Sequence, residues 1–147
     1  MPAGLNLGLD EFYQFPEATL EGHGLRQEDR DTLLWVGLPK QAAPFLSFAD
    51  YPALDDLPPG FYPIGSDGCG SNLCIELGSS NVVLLDHDFG MKKIFVNSSL
   101  AKFLECLCLF QEHLTKEVTL GCFEAMCQTD GELNCQGLWW QNEISNI

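Results

Sequence analysis

Positive charge is what this chain has least of: 7 lysines and arginines face 21 aspartates and glutamates, a formal net charge of −14 over 147 residues. Seven scattered cations do not build the basic patch that a phosphate backbone demands, which argues against direct nucleic-acid binding. Long apolar runs are also missing, and none comes near the ~20 residues that cross a bilayer. The start, Met1-Pro2-Ala3-Gly4-Leu5, has no basic beginning and no continuous apolar stretch. No secretory signal is therefore expected, and the expected location is the cytoplasm. Tight C-x2-C knuckles are absent although there are seven cysteines: the spacings on which a zinc site would rest are Cys69-x4-Cys74 and Cys122-x4-Cys127, with Cys135 beyond. That spacing does not specify zinc. The number is odd, and Cys106 and Cys108 sit among Leu104, Leu107 and Leu109. Reduced thiols acting as small buried hydrophobes are expected, with no metal and no cofactor.

Two kinds of chemistry are excluded by missing pieces. The segment Gly65-Ser66-Asp67-Gly68-Cys69-Gly70 is rich in glycine but lacks the Gly-Lys-Ser/Thr ending of a phosphate loop. A strand follows it, so no helix N-terminus is offered to an anion, and Asp67 would repel one. No serine lies in a nucleophile elbow. Internal repeats and low-complexity segments are not visible.

What is present is enough apolar material for a core: 46% hydrophobic and 19% charged residues suit one folded domain over 1–147. Residues 1–24, with Phe12, Tyr13 and Phe15, read as an N-terminal arm packed on that core. A helix is predicted from Leu25 to Val36, ended by Gly37 as a left-handed cap and by Pro39. Prolines 44, 52, 58 and 59 break the next stretch into turns, with an edge strand near Phe45–Phe48. Phe61–Ile64, Asn72–Leu77, Val82–Asp86 and Lys93–Val96 then read as four strands, joined by a tight turn at 78–81 and a longer hairpin at 87–92 in which Gly90 takes positive φ. Asn97 or Ser98 is predicted to cap a helix whose Leu100, Phe103, Leu104 and Leu107 form one apolar stripe. A second helix is predicted around Val118–Cys127. The fold class is α+β: a mainly antiparallel sheet with helices packed against it.

The pieces Ile64-Gly65-Ser66-Asp67-Gly68-Cys69-Gly70, Val82-Val83-Leu84-Leu85-Asp86-His87-Asp88, Leu34-Trp35-Val36-Gly37-Leu38-Pro39 and Phe95-Val96-Asn97-Ser98-Ser99-Leu100 resemble, in order and spacing, the SUKH superfamily of bacterial immunity proteins and fungal cell-wall-synthesis regulators. The resemblance covers roughly residues 33 to 110. It implies a SUKH-like fold and a bacterial cytoplasmic immunity protein that binds a cognate toxin and occludes its active site, without being an enzyme. The toxin would be basic, such as a nuclease or deaminase, because an acidic inhibitor complements a protein that must hold nucleic acid. Contact residues do not carry over from the superfamily. A regulatory protein-interaction scaffold is the alternative.

Asp86-His87-Asp88 is the one cluster that invites metal or acid–base chemistry, and a small metal-dependent enzyme is the remaining alternative. Strand alternation separates neighbouring side chains, so turn geometry is the simpler reading. For binding, an acidic patch is expected from Asp55, Asp56, Asp67, Glu76, Asp86 and Asp88, which fall at turns or on a strand's solvent side. Of the adjacent Trp139 and Trp140, one is expected to be buried and the other partly covered by the arm; an exposed aromatic anchor is the functional alternative.

Overall fold

Glycines and prolines break the N-terminal third into short pieces. In this computed structural model the described residues are 12–20, 22, 24–39, 41–42, 46–47, 59–66, 71–86, 90, 92–116 and 121–145. Strand β1 (Phe12–Tyr13) pairs antiparallel with β2 (Leu38–Pro39), and helices α1 (Glu17–Leu20) and α2 (Gln27–Asp31) lie between them. Phe15, Leu20, Leu25 and Leu33 are buried in the main core. The helix begins two residues later than predicted, and its last turn, Thr32–Val36, is π-helical. There the Gly37 amide donates to the Thr32 carbonyl, five residues back, at 2.7 Å. Gly37 ends the helix at φ 81° and ψ −170°. This is not the left-handed cap predicted, yet it is backbone space that a Cβ forbids, so glycine is still required.

Six strands form a wholly antiparallel sheet in sequence order: β3 (Gln41–Ala42), β4 (Leu46–Ser47), β5 (Phe61–Ser66), β6 (Asn72–Glu76), β7 (Val82–Asp86) and β8 (Lys92–Asn97). A strand does form near 45–48, the two-residue β4, but it lies between β3 and β5 and so is not the edge strand expected; Phe45 and Phe48 lie outside the described residues. Strand β5 runs past Ile64 to Ser66, with a bulge between Pro63 and Gly65. The described part of β4 meets β5 only at Ser47–Ser66. Gly90 takes positive φ in the β7–β8 hairpin, as predicted.

Strands β6 and β7 are buried on both faces, which explains the unbroken apolar run Val82-Val83-Leu84-Leu85. One face carries Ile64, Leu73, Ile75, Val82 and Leu84 into the main core; the other carries Cys74, Val83 and Leu85 into a smaller cluster with Phe61. Helix α3 (Leu100–Thr115) packs on the first face through Leu100, Phe103, Leu104 and Leu107, the predicted stripe, extended by Phe110. Its N-cap is Ser99, whose Oγ accepts the Lys102 amide at 3.2 Å. Asn97 and Ser98 are drawn elsewhere, so the predicted cap is one residue off.

Helices α4 (Cys122–Thr129), α5 (Leu133–Gln136) and α6 (Leu138–Ser145) close the fold. Helix α4 starts at Cys122, with Gly121 (φ 83°) as its N-cap; residues 117–120, where the helix was predicted to begin, lie outside the described set. Gly137 is needed for space, not for φ: a Cβ there would stand 2.4 Å from the Leu133 carbonyl oxygen and 2.5 Å from the Phe123 ring. Trp139 and Trp140 are both buried, correcting the expectation that one is only partly covered. Helix α6 lies against both β8 and α4, so side chains ~100° apart on the helix each meet a neighbour. Among the described residues no helix is long and apolar enough to cross a membrane.

Candidate functional site

The acidic residues singled out for binding are only partly within view. Asp55, Asp56, Asp67 and Asp88 lie outside the described residues, as does His87 of the Asp86-His87-Asp88 cluster. Glu76 and Asp86 are described, and both are half-buried strand ends. The meander puts them apart. Ser66 pairs with Asn72, Asn72 with Leu85, and Asp86 with Lys92, so these residues share one end of the sheet. Glu76 closes β6 at the other end, beside the turn to Asn81, about 13 Å of strand away. Antiparallel neighbours necessarily place their C-terminal residues at opposite ends, so Glu76 and Asp86 do not form one patch.

Glu76 also has partners of its own. Lys93 Nζ donates to its Oε2 at 2.7 Å and Ser79 Oγ donates to Oε1 at 2.6 Å. The Lys93 and Ser79 hydrogen bonds hold its carboxyl below the usual value of 4.5. Its charge is therefore shared within the sheet.

The densest polar constellation is elsewhere, and it is structural. Asp130, fully buried at the end of α4, accepts four hydrogen bonds. The Ser98 amide (2.8 Å) and Asn97 Nδ2 (3.0 Å) reach Oδ2, while Ser98 Oγ (2.8 Å) and the Glu132 amide (3.2 Å) reach Oδ1. Trp140 Nε1 donates to Asn97 Oδ1 at 2.9 Å, completing a link from α6 through β8 to α4. Burial alone would raise the Asp130 pKa, but the four donors, the Ser98 amide foremost, bring it below the usual 3.8. A carboxylate so fully engaged has no lone pair left for catalysis.

Asp29 is the contrasting buried carboxylate. Its burial raises its pKa, and the Arg26 guanidinium, at 3.3 Å, offsets only part of that cost. It lies on the inner side of α2, with Leu33 beyond it.

Four of the thiols are poor nucleophiles. Burial pushes Cys74 and Cys106 up to about 12, and Cys108 and Cys122 up to about 11, so the thiolate is disfavoured. All six described cysteines are free of disulfides; Cys69 lies outside the described residues. Among the described residues no three His, Cys, Asp or Glu side chains converge to hold a metal ion.

One aromatic group was missed. Trp35, on the π-helical turn, is 71% exposed, while the two tryptophans weighed as anchors are interior. Helix spacing gave only a partial signal: Trp35 falls across the helix from Leu33 but only about 80° from Leu25.

A family model described as SUKH-4 immunity protein matches residues 4–121 of this chain. No curated protein and no solved structure matches it.

Proposed function

This chain belongs to the SUKH-4 immunity protein family, within the SUKH superfamily, and from that premise we propose that it binds a cognate protein toxin in the bacterial cytoplasm and neutralises it by covering the toxin's active site. The observation that carries the reading is the family match over residues 4–121. Residues 1–147 act as one SUKH-like domain, the N-terminal arm included, and no turnover, metal or cofactor is involved.

The net charge of −14 supports a basic toxin, such as a nuclease or deaminase that must hold nucleic acid. We assign the electrostatic contact to Asp55, Asp56, Asp67, Asp86 and Asp88, with Glu76 contributing less because Lys93 shares its charge. Complementary charge of this kind speeds encounter and rejects wrong partners more than it deepens affinity.

The test is a titration. A candidate toxin domain, sought first in the gene adjacent to this chain's, is assayed against rising amounts of the full-length protein. Occlusion without turnover gives a linear fall in toxin activity to a sharp end point at a fixed molar ratio. Loss of activity at far below one equivalent would mean the protein destroys the toxin or its substrate catalytically, and the reading would be wrong.

A further inference from the structure

We propose that the outer face of α2 and its π-helical turn, carrying Glu28, Asp31 and Trp35, is a contact surface for the cognate toxin. Trp35 enters an apolar pocket whose rim on the toxin is basic. The inference rests on the immunity reading above, and it adds a surface which that reading does not contain.

Exposure comes first. Two large apolar side chains stand in solvent among the described residues: Trp35 at 71% and Leu138 at 66%. Single exposed apolar groups are ordinary, so exposure alone decides nothing. Their surroundings differ. Leu138 opens α6, and the exposed neighbours one turn away, Gln141 and Asn142, are uncharged. Trp35 lies one wide turn beyond Asp31, and Glu28 is three residues before Asp31, all of them exposed. An aromatic group flanked by carboxylates matches a partner with a pocket and a cationic rim. Tryptophan is also the residue most enriched among interface hot spots.

The face is held in place before any partner arrives. Gln14 Nε2 donates to the Trp35 carbonyl at 2.8 Å, tying the N-terminal segment to the π-turn. The Phe15 amide donates to the Leu33 carbonyl at 2.9 Å, two residues earlier, and Leu33 itself is fully buried. Gln27 Nε2 donates to Asp31 Oδ1 at 2.7 Å, fixing that carboxylate. Of the segment's cations, Arg26 pairs with the inward Asp29, while Arg30 donates to the neutral Gln27 Oε1 at 2.5 Å and keeps its charge. A backbone fixed on both sides presents its side chain at low entropic cost, which favours tight docking. π-Turns recur at functional sites for the related reason that their geometry must be paid for by neighbouring contacts.

The experiment uses the full-length chain and the toxin domain that it neutralises in the titration above. Trp35→Ala, Leu138→Ala and the double change Glu28→Gln with Asp31→Asn are compared with the unaltered protein by surface plasmon resonance. Trp35→Ala is expected to weaken affinity at least tenfold, mainly by faster dissociation, with Leu138→Ala within twofold. The double change is expected to slow association and flatten its salt dependence. Hydroxyl-radical footprinting gives a readout that needs no variant: Trp35 is oxidised in the free protein and protected in the complex. If the unaltered protein binds the toxin while Trp35→Ala binds within tenfold and Trp35 stays oxidisable, the surface is wrong and the immunity reading stands. If the unaltered protein does not bind at all, both fail.

Discussion

The same two residue types, tryptophan and aspartate, are used in opposite ways at two places in this molecule. At the C-terminal cap, Trp140 is sealed under α3 with its ring 5.8 Å from Phe110 and 6.3 Å from Phe103, and Asp130 is enclosed by four donors. On α2 and its π-turn, Trp35 and Asp31 face water. Burial with every polar atom paired yields stability, because a lost partner leaves an unsatisfied group in the interior. Exposure on a rigid backbone yields a surface free to bind. The difference separates what the fold needs from what the function needs.

The cap side of this contrast breaks first. Asp130→Ala leaves the Asn97 amide, the Ser98 amide and hydroxyl, and the Glu132 amide without their acceptor. At ~1–3 kcal/mol for a buried group left unpaired, and less for the part-buried Ser98 and Glu132 donors, the loss in chemical denaturation should be about 3 kcal/mol. Trp140→Ala should cost about 3–5 kcal/mol for the same region, and Leu104→Ala about 2–5 kcal/mol in the shared core. Smaller is Gly137→Ala, where the new methyl meets a backbone carbonyl and the Phe123 ring; about 1–3 kcal/mol is expected from overpacking. If either loss at Asp130 or Trp140 falls within error, the cap does not hold the fold and the contrast fails.

pH sharpens the comparison between the two buried carboxylates. Asp130 has a folded pKa below 3.8, so its stabilisation is complete above that value and is lost as pH falls through the depressed folded pKa. Asp29 has a folded pKa above 3.8, so its ionised form weakens the fold at neutral pH. That penalty fades as pH falls through the raised value. Asp29→Asn should therefore flatten the stability profile above pH 3.8, and Asp130→Asn should flatten it below. The smallest expected effect is on the other side of the contrast: Trp35→Ala should shift stability by no more than about 0.5 kcal/mol, as exposed sites do.

Much of the fold was legible because its signals are local. Period-two and unbroken apolar runs located β5 to β8, and the Leu100, Phe103, Leu104, Leu107 spacing located α3 and its buried face. The cap at Ser99 was not, since Asn97, Ser98 and Ser99 are all competent and Asp130, more than 30 residues on, decides between them. Nor was the burial of both Trp139 and Trp140, which depends on α6 reaching β8 and α4 together. For the site, the separation of Glu76 from Asp86 was implicit in an antiparallel hairpin, although charge counting grouped them. Trp35 was legible only as lying across the helix from Leu33, since Leu25 is about 80° from it. Its π-turn was not, because the extra residue in that turn answers to Gly37 and to the docking of Gln14.

The claim beneath all of this is that the molecule protects by binding, and survival tests it most directly. The toxin domain that the titration pairs with this chain is induced in a susceptible bacterium, with and without the full-length protein in the same cytoplasm. The account predicts growth when the unaltered protein is present and death without it, and protection by Trp35→Ala reduced although that variant accumulates folded to the same level. Death in the presence of abundant, folded, unaltered protein would contradict it.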